Sequence, residues 1–373
     1  MLKVPYAALS LSMLVLLPWP AQAQDKGEKV RITTVDGVEL NAVLYSCKDA
    51  KIKSPPTILM LHPIGESSSK KAWLGLAETL REKATVMTFD FRGHGLSTEV
   101  TPETFWKQPF NRNPAHIKNA SKAAIDNKQT IEFKEFDKAY YPALINDIAA
   151  CKCFLDRLND KGGCNTSSFI VIGADTGAAL GAVWVNSEWH RHRVIENAAT
   201  LTRAPDQRPE GMDIIACVWL SANSQLGSRT ISYGATLDFP LRVKAAPMVF
   251  IYGDEDAKAK SVAAAALKFK GPKDKTKYPF TDKVEIAKAG NLKGMDLLQK
   301  TLGVDQAIKG YLFGGDDSQG VVEAKGREWT DREFRKTQYI WRLPGSPTTS
   351  LGVTAKLPGD NNFMFETYMK YAK

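Results

Sequence analysis

The sequence is sparing in cysteine and histidine, with five of each in 373 residues, and it contains no internal repeat and no low-complexity tract. The cysteines form no CxxC pair and no Cys/His cluster has metal-ligand spacing, so nothing supports a structural zinc site. No apolar run reaches the roughly 18 residues of a spanning helix, outside one candidate at the extreme start. Hydrophobic residues make up 43% of the chain and charged residues 24%, with a net charge of +9. That balance excludes a disordered chain and a collagen-like one, and it supplies enough apolar side chains for a large core.

The apolar stretch at the start, residues 9–19, follows Lys3 and precedes Ala21-Gln22-Ala23. A cation, an apolar segment of this length and small residues at alternate positions predict a secretory signal over residues 1–23, cut after Ala23. Removing 23 of the 373 residues leaves 350, and because Lys3 is the only charged residue lost, the net charge becomes +8. The mature protein is then expected in the periplasm or outside the cell, with no membrane span. An oxidising compartment permits disulfides, yet Cys47, Cys151, Cys153, Cys164 and Cys217 are odd in number and leave at least one thiol. Cys153 and Cys164 are the two placed to pair, and Cys217 lies inside the apolar run 214–220. The densest positive charge, residues 258–283, reads as the solvated face of a helix with a buried stripe at 262–267. A polyanion or an anionic envelope surface is the competing occupant. No nucleic-acid site is expected.

Strand-like runs fall at 30–34, 38–45, 57–61, 85–89, 169–172, 214–220, 248–252 and 284–286. The first two flank a two-residue turn at Asp36-Gly37. Helical periodicity covers 70–83, 142–159, 177–188, 258–270 and 292–302. A hairpin followed by repeated strand–helix units predicts an α/β fold, with a mostly parallel twisted sheet flanked by helices. Three segments break the rhythm. Residues 98–141 are a polar insertion carrying Phe105, Trp106, Phe110, Phe133, Phe136, Tyr140 and Tyr141, either a lid or a packed excursion. Residues 194–212 read as a loop. The tail from 314 to 373, where Thr337, Tyr339 and Trp341 alternate as do Phe363 and Phe365, reads as an added hairpin or small β module. The expected domains are thus 24–313 and a C-terminal extension, 314–373.

Four short motifs close predicted strands: His62-Pro63-Ile64-Gly65 after the third, Arg92-Gly93-His94-Gly95 after the fourth, Gly173-Ala174-Asp175-Thr176-Gly177 after the fifth and Gly253-Asp254-Glu255-Asp256 after the seventh. Taken in that order, over residues 30–303, they resemble the α/β-hydrolase superfamily, in particular its exported esterase and peptidase-like members. The resemblance implies eight strands, with the active site at their carboxyl ends. It places Asp175 at the hinge where the family carries its nucleophile, Asp256 (with Asp254 beside it) at the acid, and Asn291 at the position of the histidine. The oxyanion-type donors would be the N–H groups of Ile64 and Thr176, since Pro63 has none. Gly173 and Gly177 answer a physical need of the hinge, because a strand that turns at once into a helix brings backbone too close for side chains.

The family's machinery is therefore incomplete. Ser is replaced by Asp175, and His62, His94, His116, His190 and His192 all precede the last strand. An Asn in the histidine's place takes no proton near neutral pH. Asp175 can be read as a carboxylate nucleophile, as in the haloalkane-dehalogenase and epoxide-hydrolase branch, which still needs a histidine to release its ester. It can also be read sterically, since Asp tolerates positive φ, and the steric reading is preferred. His62 is the one imidazole offered as a helper to Asp175; its plainer role is a strand-end histidine bonded to a local carbonyl. His94 is read as stabilising its turn, and Ser67, Ser68 and Ser69 as loop and cap. His190 and His192 near a helix end suit the dipole, with metal binding the alternative. Three functions follow: a degenerate hydrolase that binds a ligand or partner in the old pocket, an active hydrolase built on Asp175 and His62, or an envelope or polysaccharide adhesion protein using the aromatic tail. None of them calls for a cofactor or metal.

Overall fold

The computed structural model describes residues 27–194, 208–271, 274, 276–315, 318–333, 338–341, 368–370 and 372. Residues 1–23, expected to be a signal, lie outside them, as do residues 195–207, Thr337, Phe363 and Phe365.

Eight strands form one sheet. They are β1 (Glu28–Thr33), β2 (Glu39–Tyr45), β3 (Pro56–Leu61), β4 (Thr85–Phe89), β5 (Asn165–Ala174), β7 (Ile214–Leu220), β10 (Met248–Gly253) and β11 (Asp282–Ile286), in the order β1-β2-β4-β3-β5-β7-β10-β11. Pairing is antiparallel for β1–β2 and β2–β4 and parallel from β4 onward. Strands β3, β4, β5, β7 and β10 are buried along their whole length. Their near-continuous apolar runs meet helices on both faces, as parallel sheets require. The outer strands β1 and β11 carry Glu28, Lys29, Asp282 and Lys283, charges that discourage pairing with another chain's edge.

The helices are α1 (Lys71–Leu80), α2 (Pro102–Phe105), α3 (Ile145–Asn159), α4 (Thr176–Glu188), α5 (Tyr233–Thr236), α6 (Ala257–Ala266), α7 (Val304–Phe313) and α8 (Val321–Lys325). Helix α1 buries Trp73, Leu76, Ala77 and Leu80, the one-sided stripe of a surface helix. Helix α4 is buried all round, which is why its sequence is small and apolar on every face. The helix expected at 292–302 is instead two short 3-10 turns, Gly294–Leu298 and Lys300–Leu302, and the α-helix begins later, at Val304. Gly294 and Gly303 take φ of +52° and +64° and interrupt a pattern whose apolar spacing is otherwise helical.

The insertion is packed. Phe105, Trp106, Ile117, Ile131, Phe136 and Tyr140 are buried in the same core as β2, β4 and α3. Its polar anchor is Arg92, fully buried, whose guanidinium donates to Asp36 (2.6 and 3.0 Å), to Asp147 (2.8 Å) and to the Tyr140 hydroxyl (3.1 Å). Asn111 adds a donor to Asp36. One cation between two carboxylates leaves an excess negative charge, and burial pushes Asp147 up to about 6. Asp36 stays below the ordinary carboxylate range: burial opposes its charge, but Arg92, Thr34 and Asn111 outweigh it. The turn residue Asp36 is thus a core ion as well.

The described strand of the tail pairs with the body of the protein. Strand β12 (Gln338–Trp341) pairs antiparallel with β6 (Arg191–Val194), within the stretch expected to be loop, and Tyr339 and Trp341 are buried, with Tyr339 beneath the Arg191 guanidinium. Its partner strand lies about 150 residues upstream, beyond the reach of local pattern. Burial also removes these two aromatics from any adhesion surface. Arg332 is buried against Asp156, Glu210 and Asp213, beside the ion pairs Lys152–Asp156 and Arg191–Glu188. Residues 327–330 lie across the amino ends of β3 and β5, where Asn165 donates to the Arg327 carbonyl and Asn159 to the Thr330 carbonyl. A small hairpin pairs β8 (Gln225–Leu226) with β9 (Arg229–Thr230). All five cysteines are thiols: Cys164 donates to the Leu155 carbonyl at 3.3 Å, while Cys153 packs beside Tyr339, so the Cys153–Cys164 pair does not form. Among the described residues no helix is long and apolar enough to cross a membrane.

Candidate active site

At the end of β5 the chain turns into α4 within one residue. Asp175 holds φ 48° and ψ −116°, a strained backbone for a non-glycine residue. The hinge is clamped from both sides: the Asp175 N–H donates to the Leu220 carbonyl (2.9 Å), and its own carbonyl accepts from Ala178 (3.1 Å) and Asn223 (3.3 Å). A Cβ at Gly177 would lie 2.5 Å from the His62 carbonyl oxygen and 2.6 Å from that of Leu61; one at Gly173 would lie 2.8 Å from the Ala178 Cα. Backbone cannot yield at such distances, so both positions require glycine on steric grounds.

The polar groups around the hinge are paired with one another. One Asp175 carboxylate oxygen accepts from the Asn223 side-chain amide at 3.1 Å. The Ile64 N–H, one of the two expected oxyanion donors, is engaged: it donates to the Thr176 hydroxyl at 2.7 Å. The next N–H along, Gly65, donates to Nε2 of His94 at 2.9 Å. The chain thus supplies its own acceptors to this corner. Of the two donors named from the sequence, only the Thr176 N–H, in the first turn of α4, has no such acceptor assigned to it among the described residues.

His62 does not help Asp175. Its Nδ1 lies 2.8 Å from the Pro63 carbonyl and its Nε2 accepts the Phe91 N–H at 3.0 Å. Both nitrogens are committed to backbone, which fixes the neutral tautomer with hydrogen on Nδ1. Burial, together with the neighbouring His94, lowers its pKa to about 4. His94 is held the same way, Nδ1 to the Arg92 carbonyl and Nε2 to Gly65, and burial lowers its pKa too. His116 binds the Phe110 carbonyl within the insertion. His190 and His192 follow the far end of α4, some 20 Å along the helix axis from Asp175. Among the described residues, no group of His, Cys, Asp and Glu is arranged to hold a metal.

The remaining positions diverge from the sequence reading. Asp256 is buried and caps α6, accepting from the Ala259 N–H at 3.2 Å. Asp254 accepts the N–H groups of Lys288 and Gly290, which hold its carboxyl below the ordinary range, and so ties down the loop after β11. Asn291 itself is exposed. The loop meets the hinge two and three residues later. The Lys293 ammonium stands 3.9 Å from Asp256, and a Cβ on Gly294 would lie 3.4 Å from that of Asp175. Neither Asp256 nor Asn291 contacts Asp175 among the described interactions. Asn223, Lys293 and Gly294 carried no motif in the sequence, since each is brought in by a loop whose path only the packed sheet defines. Beside this corner the loops after β3 and β4 and the insertion enclose a cleft of about 450 Å³, lined by Gly65, Ser67, His94, Thr98, Phe133 and Lys134 among others.

The strand order, the parallel run from β4 to β11 and the one-residue hinge at the carboxyl end of β5 define an α/β-hydrolase fold. Several solved structures are similar to this chain. An esterase of Pyrococcus furiosus is 16% identical over 82% of this chain and 96% of its own, with a TM-score of 0.42. A dienelactone hydrolase from Anabaena variabilis is 15% identical over 76% and 94%, also at 0.42. Est1E from Butyrivibrio proteoclasticus is 13% identical over 76% and 97%, at 0.43. No family model matches the sequence, and no curated protein matches it.

Proposed function

We propose that this is an exported, catalytically degenerate protein of the α/β-hydrolase fold, which holds a ligand in the cleft at the carboxyl edge of its sheet without hydrolysing it. The observation that carries this reading is the pairing of a carboxylate at the hinge with histidines whose ring nitrogens are given over to backbone. General-base catalysis needs an imidazole within hydrogen-bond reach of the proton to be moved. The Thr176 hydroxyl in the place of an oxyanion supports the same reading, because a backbone donor already bonded stabilises no developing charge. The cleft of about 450 Å³ is within the size range of small-ligand sites and mixes an aromatic ring and hydroxyls with the carboxylates of Glu66 and Glu132 and the Lys134 ammonium.

The competing reading, a hydrolase with Asp175 as nucleophile, gains Asn223 as an orienting group and still lacks a base. Short acyl esters such as p-nitrophenyl acetate decide between the two. The purified protein should turn them over no faster than Asp175→Ala does; turnover that Asp175→Ala abolishes would overturn the proposal. Ligand holding is read separately, from thermal shifts across a small-molecule panel repeated with Thr98→Trp, which should fill the cleft and abolish the shift. Export predicts that the protein recovered from outside the cytoplasm begins at Gln24.

A further inference from the structure

We propose that the amino edge of the sheet carries a second site, a pocket for a pyranose ring with Trp329 as its platform. The segment after α8 lays Trp329 across a cavity of about 340 Å³ whose other walls include Lys53, Ser54, Pro55, Gly162 and Gly163. Of the described tail aromatics, Tyr339 and Trp341 are buried and Trp329 is 41% exposed.

An exposed tryptophan is ordinarily free to change rotamer. This one is tied at two points: its indole N–H donates to the Asn159 carbonyl and its backbone N–H to the Ser54 hydroxyl, each at 2.9 Å. Its side chain's one polar atom is thereby used, and what remains on offer is a flat face. The surrounding walls are pinned as well, for Asn165 donates to the Ser54 hydroxyl (2.9 Å) and to the Arg327 carbonyl (2.8 Å). Platform and wall are a preformed unit, so a ligand bears little ordering cost on entering. Nothing crowds the wall at Gly162, where a Cβ would meet no atom within 4 Å.

The chemistry of that space selects a class of ligand. The face of an indole is electron-rich and attracts the weakly positive C–H bonds of an apolar ring face. The exposed Lys53 ammonium supplies donors at the rim for hydroxyl or ring oxygens. A pyranose has both, an apolar C–H face and an oxygen-rich edge. A cationic ligand would be repelled by Lys53, and a plain hydrocarbon ring would leave that ammonium without a new partner. The volume lies near the lower end for ligand sites and suits one ring. The pocket lies at the starts of β3 and β5, and the ten residues of β5 separate it from Asp175 by roughly 30 Å. Binding here is therefore separable from anything at the hinge.

The test titrates the full-length protein with methyl β-glucopyranoside, methyl β-galactopyranoside and the methyl glycoside of N-acetyl-β-glucosamine, read by saturation-transfer NMR and tryptophan fluorescence. At least one should bind, about tenfold or more weakly in Trp329→Ala, and unchanged in Asp175→Ala. Gly162→Asn guards against a simple loss of structure: Asn accepts the left-handed backbone at this exposed position, and its side chain would occupy the cavity. It should abolish binding with an unaltered unfolding temperature. Tighter binding of cellohexaose than of the single glycosides would identify a polymer as the source of the ring, and equal binding a free sugar. No binding of any probe at the limit of solubility, or binding equally strong in Trp329→Ala and Gly162→Asn, overturns the proposal.

Discussion

Asp175, His62 and Arg92 show how far single residues could be read. The hinge at Asp175 was legible because two glycines two residues to either side are a local signature of backbone crowding. The state of His62 was not, since its two partners, the Pro63 carbonyl and the Phe91 N–H, meet only when β3 and β4 lie side by side. That state has a measurable consequence. A histidine whose folded pKa is depressed stabilises the fold above its unfolded value and loses that contribution as pH falls through the folded one. From about 6.5 down to about 4 the change amounts to about 3 kcal/mol. The urea midpoint should therefore fall across this window, and fall less in His62→Gln, whose amide can keep one donor and one acceptor. A midpoint equally pH-dependent in the variant would remove His62 as the cause, with His94 the next group to test, since its pKa is lowered in the same sense.

At the scale of elements, the buried strands and α1 followed from apolar runs and helical spacing, because both report burial that each element needs wherever it packs. Apart from the helix expected at 292–302, which Gly294 and Gly303 interrupt locally, the errors fell where a partner is distant in sequence. Strand β12 finds β6, and Arg332 finds Asp156, Glu210 and Asp213 across 100 to 200 positions. Arg332→Met would leave these carboxylates with too few cations in a dry setting and should cost about 3–5 kcal/mol. Chemical denaturation measures the loss, and limited proteolysis should show earlier cleavage within residues 314–341. A variant as resistant as the wild type would mean that the tail is held by its apolar contacts alone. The elbow offers a sharper case: Gly177→Ala drives a Cβ into the carbonyls of Leu61 and His62, where nothing can move aside, and should destabilise by at least about 1–3 kcal/mol in the same assay.

For the molecule as a whole, the question is whether a hydrolase architecture can be made to work again. Asp175→Ser restores a hydroxyl at the hinge, Lys293→His puts an imidazole where the loop meets Asp256, and Thr176→Ala releases the Ile64 N–H. The triple variant should gain measurable p-nitrophenyl acetate turnover, with each single variant inactive. Turnover by Asp175→Ser alone would show that the pocket still holds a base of its own. The sequence by itself determined the α/β class, the order of strands and helices, the hinge and its two glycines, because these depend on short-range sterics and on the periodicity of burial. Tertiary structure alone decided that Ile64 gives its N–H to Thr176, that two histidines stand neutral, that Asp36 and Arg92 share a buried ion cluster, and that Trp329 is held open to solvent while Trp341 is not. Each of these depends on which distant segments share a hydrogen bond or a dry contact. Local sequence cannot express that condition, because it belongs to the packed chain.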